Sequence, residues 1–154
     1  MIQHAYIDYT KATKAALSDY PRMAAILATA DERAEAIEAR LQRPAAPRQE
    51  PVPASGDGCS WDAAFDEMDA LQARRSKAEE YMRWFLPAWE CLTERERIVL
   101  EEHYINIAAH FDGGEWTDGV KNRINIERTA AYETSKSAVA KLSRFLAWPG
   151  NPLI

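Results

Sequence analysis

Across the first forty residues, apolar side chains recur in steps that alternate between four and three. They are Ile2, Tyr6, Tyr9, Ala16, Tyr20, Met23, Leu27, Ala30, Ala34, Ile37 and Leu41, with Thr13 the polar residue in the same register. A mean step of about 3.5 keeps one stripe on one side of a helix, so the segment is expected to be a long helix packed against another helix. Pro21 has no N–H to donate and crowds the turn before it, so a kink or two abutting helices is expected there, with Ser18 or Asp19 placed to cap a restart. The small residues at Ala16, Ala30 and Ala34 permit close approach but bury little area, and a seam that thin favours a partner chain.

The stretch from Arg43 to Cys59 holds four of the eight prolines and two of the six glycines. It cannot continue a helix and reads as a partly extended connector. Beyond it, Ser60 can cap a helix in which Trp61, Ala64, Phe65, Met68, Leu71, Ala78, Met82 and Phe85 repeat at helical spacing up to Pro87. Residues 1–86 thus form a coiled-coil-like helical hairpin for oligomerisation or partner binding. The aromatic cluster Trp84, Phe85 and Trp89 reads as core rather than as an exposed partner site.

Thr93-Glu94-Arg95-Glu96 has the form of a capping box, in which the threonine hydroxyl and the Glu96 carboxylate satisfy each other's backbone N–H. It opens a helix containing Ile98, Val99, Leu100, Tyr104 and Ile105 that should fade before Gly113-Gly114. Trp116 starts a short segment with Val120 and Ile124 on one face. Asn125 follows where the chain must turn, and asparagine tolerates a left-handed backbone. A last helix is expected from about Arg128 to Ala147, stopped by Pro149-Gly150. No convincing strand-period segment is present. The fold class is all-α: a long N-terminal helical hairpin followed by a C-terminal helix-turn-helix domain over residues 87–154.

The helix-turn-helix pattern is carried by Val120 and Ile124 facing inward, Asn125 at the turn, Ile126 at the junction and the small Ala131 where the helices touch, with Ala138, Val139 and Leu142 lining the second helix. Outward on that helix remain Arg128, Thr129, Tyr132, Glu133 and Lys136, then Lys141 and Arg144; Lys121 and Arg123 on the preceding helix join them as candidate DNA contacts. Arginine and threonine at the leading end of a protruding helix reach base edges and phosphates, and lysines hold the backbone. Glu133 would repel phosphate unless it accepts a bond from a cytosine amino group or pairs with a cation. This reading requires that the cationic flank of the last helix be open to water.

Charge is distributed accordingly. The 154-residue chain has a formal net charge of −5; residues 1–116 carry 13 Lys/Arg and 21 Asp/Glu, residues 117–154 carry 6 and 3, so an acidic body ends in a basic tail. No apolar run approaches the roughly 18 residues of a membrane span. The start, Met1 to Leu17, carries Asp8, Lys11 and Lys14 and so lacks the apolar stretch of an export signal, and an intracellular protein is expected. Cys59 and Cys91 are expected to be free thiols. Those cysteines with His4, His103 and His110 have no metal-site spacing, and no cofactor is expected. Glu101-Glu102-His103 reads as a solvated face. No phosphate loop, nucleophile elbow or paired-acid motif appears, so an enzyme is not expected.

Two runs carry a family resemblance. LTERERIVLEEHYI, residues 92–105, resembles the leading helix of the last conserved region of bacterial sigma factors, through Leu92, Arg97, Leu100 and Tyr104. IERTAAYETSKSAVAKLSRFLAWPG, residues 126–150, resembles the recognition helix of the phage RinA/ArpU-like transcriptional regulators that share that module, through Ile126, Arg128, Thr129, Tyr132 and Leu142. The long first helix, connector and second helix also look like that group's architecture. Glu102 stands where the family usually has an apolar residue, Asn125 replaces a common glycine, and Asn106 to Thr117 is longer than the sigma-factor turn. The resemblance implies a double-stranded-DNA-binding regulator of phage or prophage genes in the bacterial cytoplasm, with host RNA polymerase as a possible partner. The competing reading is a helical oligomeric interaction protein, such as a small terminase subunit for DNA packaging. From the seam, a homodimer or higher homo-oligomer through residues 1–86 is expected.

Overall fold

The structure, a computed structural model, describes residues 8–42, 59–107 and 114–147, and of Cys59 and Ser60 the backbone alone. The expectations for Ile2, His4, Tyr6, the connector up to Gly58, His110, Gly113 and the Pro149-Gly150 stop fall outside these residues. Among the described residues there are five α-helices: α1 Tyr9–Gln42, α2 Cys59–Glu90, α3 Glu94–Leu100, α4 Trp116–Ile124 and α5 Arg128–Leu146. A π-helical segment, Glu101–Ile105, continues α3. The chain is all-helical, with a long α1–α2 hairpin followed by shorter C-terminal helices.

Neither internal proline ends its helix, so the alternative of two abutting helices at Pro21 is overturned and α2 does not stop at Pro87. α1 runs unbroken through Pro21, and α2 passes Pro87 to end at Glu90. A proline in a helix interior costs about 3 kcal/mol. Burial on either side offsets that cost: Leu17 is fully buried one turn before Pro21, and Phe85 and Ala88 are buried around Pro87. α2 begins at Cys59, so Ser60 lies inside the first turn instead of capping it.

The chain packs as two compact units, one comprising residues up to Arg22 and from Tyr81 onward, the other Met23–Glu80. The start of α1 and the end of α2 therefore share a core with the C-terminal helices, where the sequence pattern places them with the hairpin. In the first unit Leu17, Phe85, Ala88, Leu92, Leu100, Ala138, Val139, Leu142 and Leu146 form one apolar cluster. Phe85 has ring centroids 5.2 Å from Tyr81, 5.6 Å from Tyr20 and 5.7 Å from Trp89, so the aromatic cluster is core. The Tyr81 hydroxyl donates to the Ala16 carbonyl at 2.5 Å, and burial pushes its phenol above the usual range. Thr13 is polar for a reason that periodicity hides: its hydroxyl meets that of Ser143 on α5 at 2.8 Å.

The second unit is thinner. Ile37, Ala64 and Leu71 are buried together, with Ala34, Leu41 and Met68 against them. Ion pairs brace its surface, Asp31 with Arg75 at 2.9 Å and Arg40 with Glu67. Trp61 and Phe65, expected in the seam, are instead 54% and 53% exposed.

Candidate nucleic-acid interface

The C-terminal helices are fixed by short local devices. Thr93 caps α3 as a full capping box, its hydroxyl accepting from Glu96 N–H at 3.2 Å while the Glu96 carboxylate accepts from Thr93 N–H at 2.8 Å. Asn125 ends α4 in the left-handed region, φ 53° and ψ 47°, and its N–H donates to the Lys121 carbonyl at 2.9 Å. Val99, Val120 and Ala131, each fully buried, bring α3, α4 and α5 together, with Trp116, Ile124 and Ile126 packed around them. Ala131 has no exposed surface, so a larger side chain there would force α4 and α5 apart.

This packing sets which side of α5 meets water. Ala131, Ser135, Ala138, Val139, Leu142, Ser143 and Leu146 are buried. Arg128, Thr129, Tyr132, Glu133, Lys136 and Arg144 are exposed. The cationic flank is thus open within the chain. Arg128 lies 3.3 Å from Glu115, both on the surface, with its guanidinium 5.8 Å from the centre of the Tyr132 ring. Lys121 pairs with Glu127 at 3.4 Å, also on the surface.

Four of the nine sequence candidates, Lys121, Arg123, Arg128 and Lys141, are in intramolecular ion pairs, and the pairs of Arg123 and Lys141 are also hydrogen bonds to less exposed carboxylates. Arg123 donates to Glu101 and to Glu102, each at 3.0 Å. Burial of Arg123 works against its charge, but those two bonds hold its guanidinium pKa above the usual value. Lys141 donates to Glu96 at 3.1 Å. Burial raises the Glu96 pKa, yet the bonds from Thr93 N–H and Lys141 outweigh it and hold the carboxyl below its usual range. Neither cation is free to reach a groove without giving up a carboxylate.

Nor is Glu101-Glu102-His103 a solvated face. Glu102 is 7% exposed, and His103 is half-buried with its Nδ1 2.7 Å from the Ser135 hydroxyl. The imidazole stacks on Trp116 at 4.1 Å with 5° between ring planes, and Trp116 in turn meets the Tyr132 ring edge-on at 5.0 Å. Burial, then the charge of Lys14, lowers the His103 pKa. An adjoining cleft of about 440 Å³ is lined by Thr10 and Lys14 of α1, His103, and Tyr132, Glu133 and Lys136 of α5 among others. Lys14 is the residue that the helix-turn-helix pattern could not supply. It lies off the seam near the start of α1, a turn held against α5 by the Thr13–Ser143 contact and by the packing of Leu17 on Ala138, Val139 and Leu142.

Among the described residues no group of three His, Cys, Asp or Glu side chains could hold a metal ion, and no helix is long and apolar enough to cross a membrane. Cys91 is free and exposed. No protein-family model, curated protein or solved structure matches the chain.

Proposed function

We propose that this protein binds double-stranded DNA in a sequence-specific manner through α4 and α5 and regulates phage or prophage genes. The observation that carries the reading is the exposed leading face of α5, where Arg128, Thr129, Tyr132 and Lys136 project opposite a fully buried face, behind a left-handed turn. A helix seated on its partners in this way enters a major groove with its first turns foremost. Glu127 makes no side-chain cap bond at the start of α5, leaving first-turn N–H groups for phosphate. Arg128 and Thr129 take the base-edge role, and Lys136 and Arg144 the backbone role. Glu133 shares a cleft with Lys14 and Lys136 and accepts from a cytosine amino group. The regulatory role rests on the resemblance of residues 92–105 and 126–150.

The test is selection of bound fragments from random duplexes, followed by salt titration on the enriched sequence. An enriched motif is expected, with affinity falling steeply as salt rises. Arg128→Ala with Lys136→Ala should keep the helical content and lower the salt slope by about 2. Binding unchanged in that variant would refute the contact assignment, and a failure to enrich any motif would refute sequence-specific reading.

A further inference from the structure

The Met23–Glu80 unit carries two surfaces that DNA reading does not use. The first is a groove of about 490 Å³ between α1 and α2, floored by Ile37 and Leu71 and rimmed by Arg33, Arg40 and Arg74. Arg40 is paired with Glu67, whereas Arg33 and Arg74 have no ion-pair partner among the described residues. An apolar floor under cationic rims fits an acidic amphipathic helix. The second surface is such a helix. At the start of α2, Trp61 and Phe65 stand exposed one turn apart, with exposed Asp62, Asp66 and Asp69 beside them.

The two surfaces lie on opposite flanks of α2. At 100° per residue, Glu67, Ala70 and Arg74 fall roughly 40–100° to one side of buried Leu71, and Trp61 and Phe65 fall roughly 80–120° to the other. The Asp31–Arg75 pair agrees, since Arg75 lies on the aromatic side and Asp31 faces away from the groove on α1. A two-fold dimer would need both surfaces of one copy to face the same partner. Opposed surfaces instead join copy to copy in one direction, each junction leaving a ridge and a groove unused at the ends.

We propose that copies of this chain associate head to tail, the Trp61–Phe65 ridge of one entering the arginine-rimmed groove of the next, to form a closed ring or a chain rather than an isolated two-fold dimer. The proposal is independent of DNA binding. Full-length protein is examined by sedimentation velocity at tens of micromolar, alongside a ridge variant, Trp61→Ser with Phe65→Ser, and a groove variant, Arg33→Glu with Arg74→Glu. All four side chains are exposed, so helical content should persist. Wild type is expected to exceed a dimer, with its mass falling as salt rises, and each variant alone to be monomeric through a loss in association of about 30-fold or more. Mixed in equal amounts, the variants should form a one-to-one complex and nothing larger, since one retains the groove and the other the ridge. A monomeric wild type, a wild type that stops at dimer, or a mixture that stays monomeric would each overturn the proposal. A monomeric wild type that takes an acidic peptide into the groove would assign the groove to another protein.

Discussion

Glu102 shows how one buried carboxylate ties the C-terminal helices together. It follows α3, and it is held by Arg123 of α4 and by the Asn106 amide at 3.2 Å. Removing Arg123 would take a charged partner from a buried carboxylate, so Arg123→Ala is expected to cost about 2 kcal/mol in urea unfolding, while Glu102→Leu with Arg123→Ala should recover most of it. By contrast Lys136→Ala, on the open flank, should change stability by no more than about 0.5 kcal/mol. His103 sets a pH dependence at the same scale. Its folded pKa lies below the unfolded value, so its contribution is complete above the unfolded imidazole pKa and is lost as pH falls toward the folded one. Urea midpoints should therefore decline from about pH 8 to about pH 5, and His103→Gln should flatten that slope. None of this was legible from composition. Arg123 and Glu102 stand 21 positions apart, and side-chain pairing at that separation leaves no periodic trace.

At the level of single elements, legibility follows locality. The capping box and the Asn125 turn are written in four residues or fewer, and both form where the sequence places them. Thr93→Ala should cost about 1 kcal/mol of stability. Asn125→Val should cost about 1–2 kcal/mol while Asn125→Gly is tolerated, because a branched side chain resists a φ of 53° and glycine does not. The continuation of α1 and α2 through their prolines is the opposite case. Whether a helix survives Pro21 or Pro87 depends on what Leu17, Phe85 and Ala88 touch, and those contacts come from elsewhere in the chain.

At the scale of the whole molecule, the apolar stripe of α1 foretold a long helix but not its division between two units. Thr13 and Tyr20 serve the C-terminal core and Ile37 serves the hairpin, although all three keep one register. The seam at Ile37, Ala64 and Leu71 is small, so amides of residues 23–42 and 61–80 should exchange with solvent faster than those of 131–146 in dilute protein, and slow as concentration is raised if copies associate. Equal protection throughout would contradict a thin second core. Trp61 and Phe65 escaped the pattern because spacing alone does not tell a stripe facing its own hairpin from one facing outward.

The ring stack of His103, Trp116 and Tyr132 has an optical consequence. Trp116 lies under the imidazole and against the edge of a tyrosine that stands 46% exposed on the leading turns of α5. Whatever settles on Tyr132 alters the surroundings of an indole, so the molecule carries its own fluorescent reporter. Emission should shift when duplex is added, and Trp116→Phe should silence that signal while the other four tryptophans keep glowing.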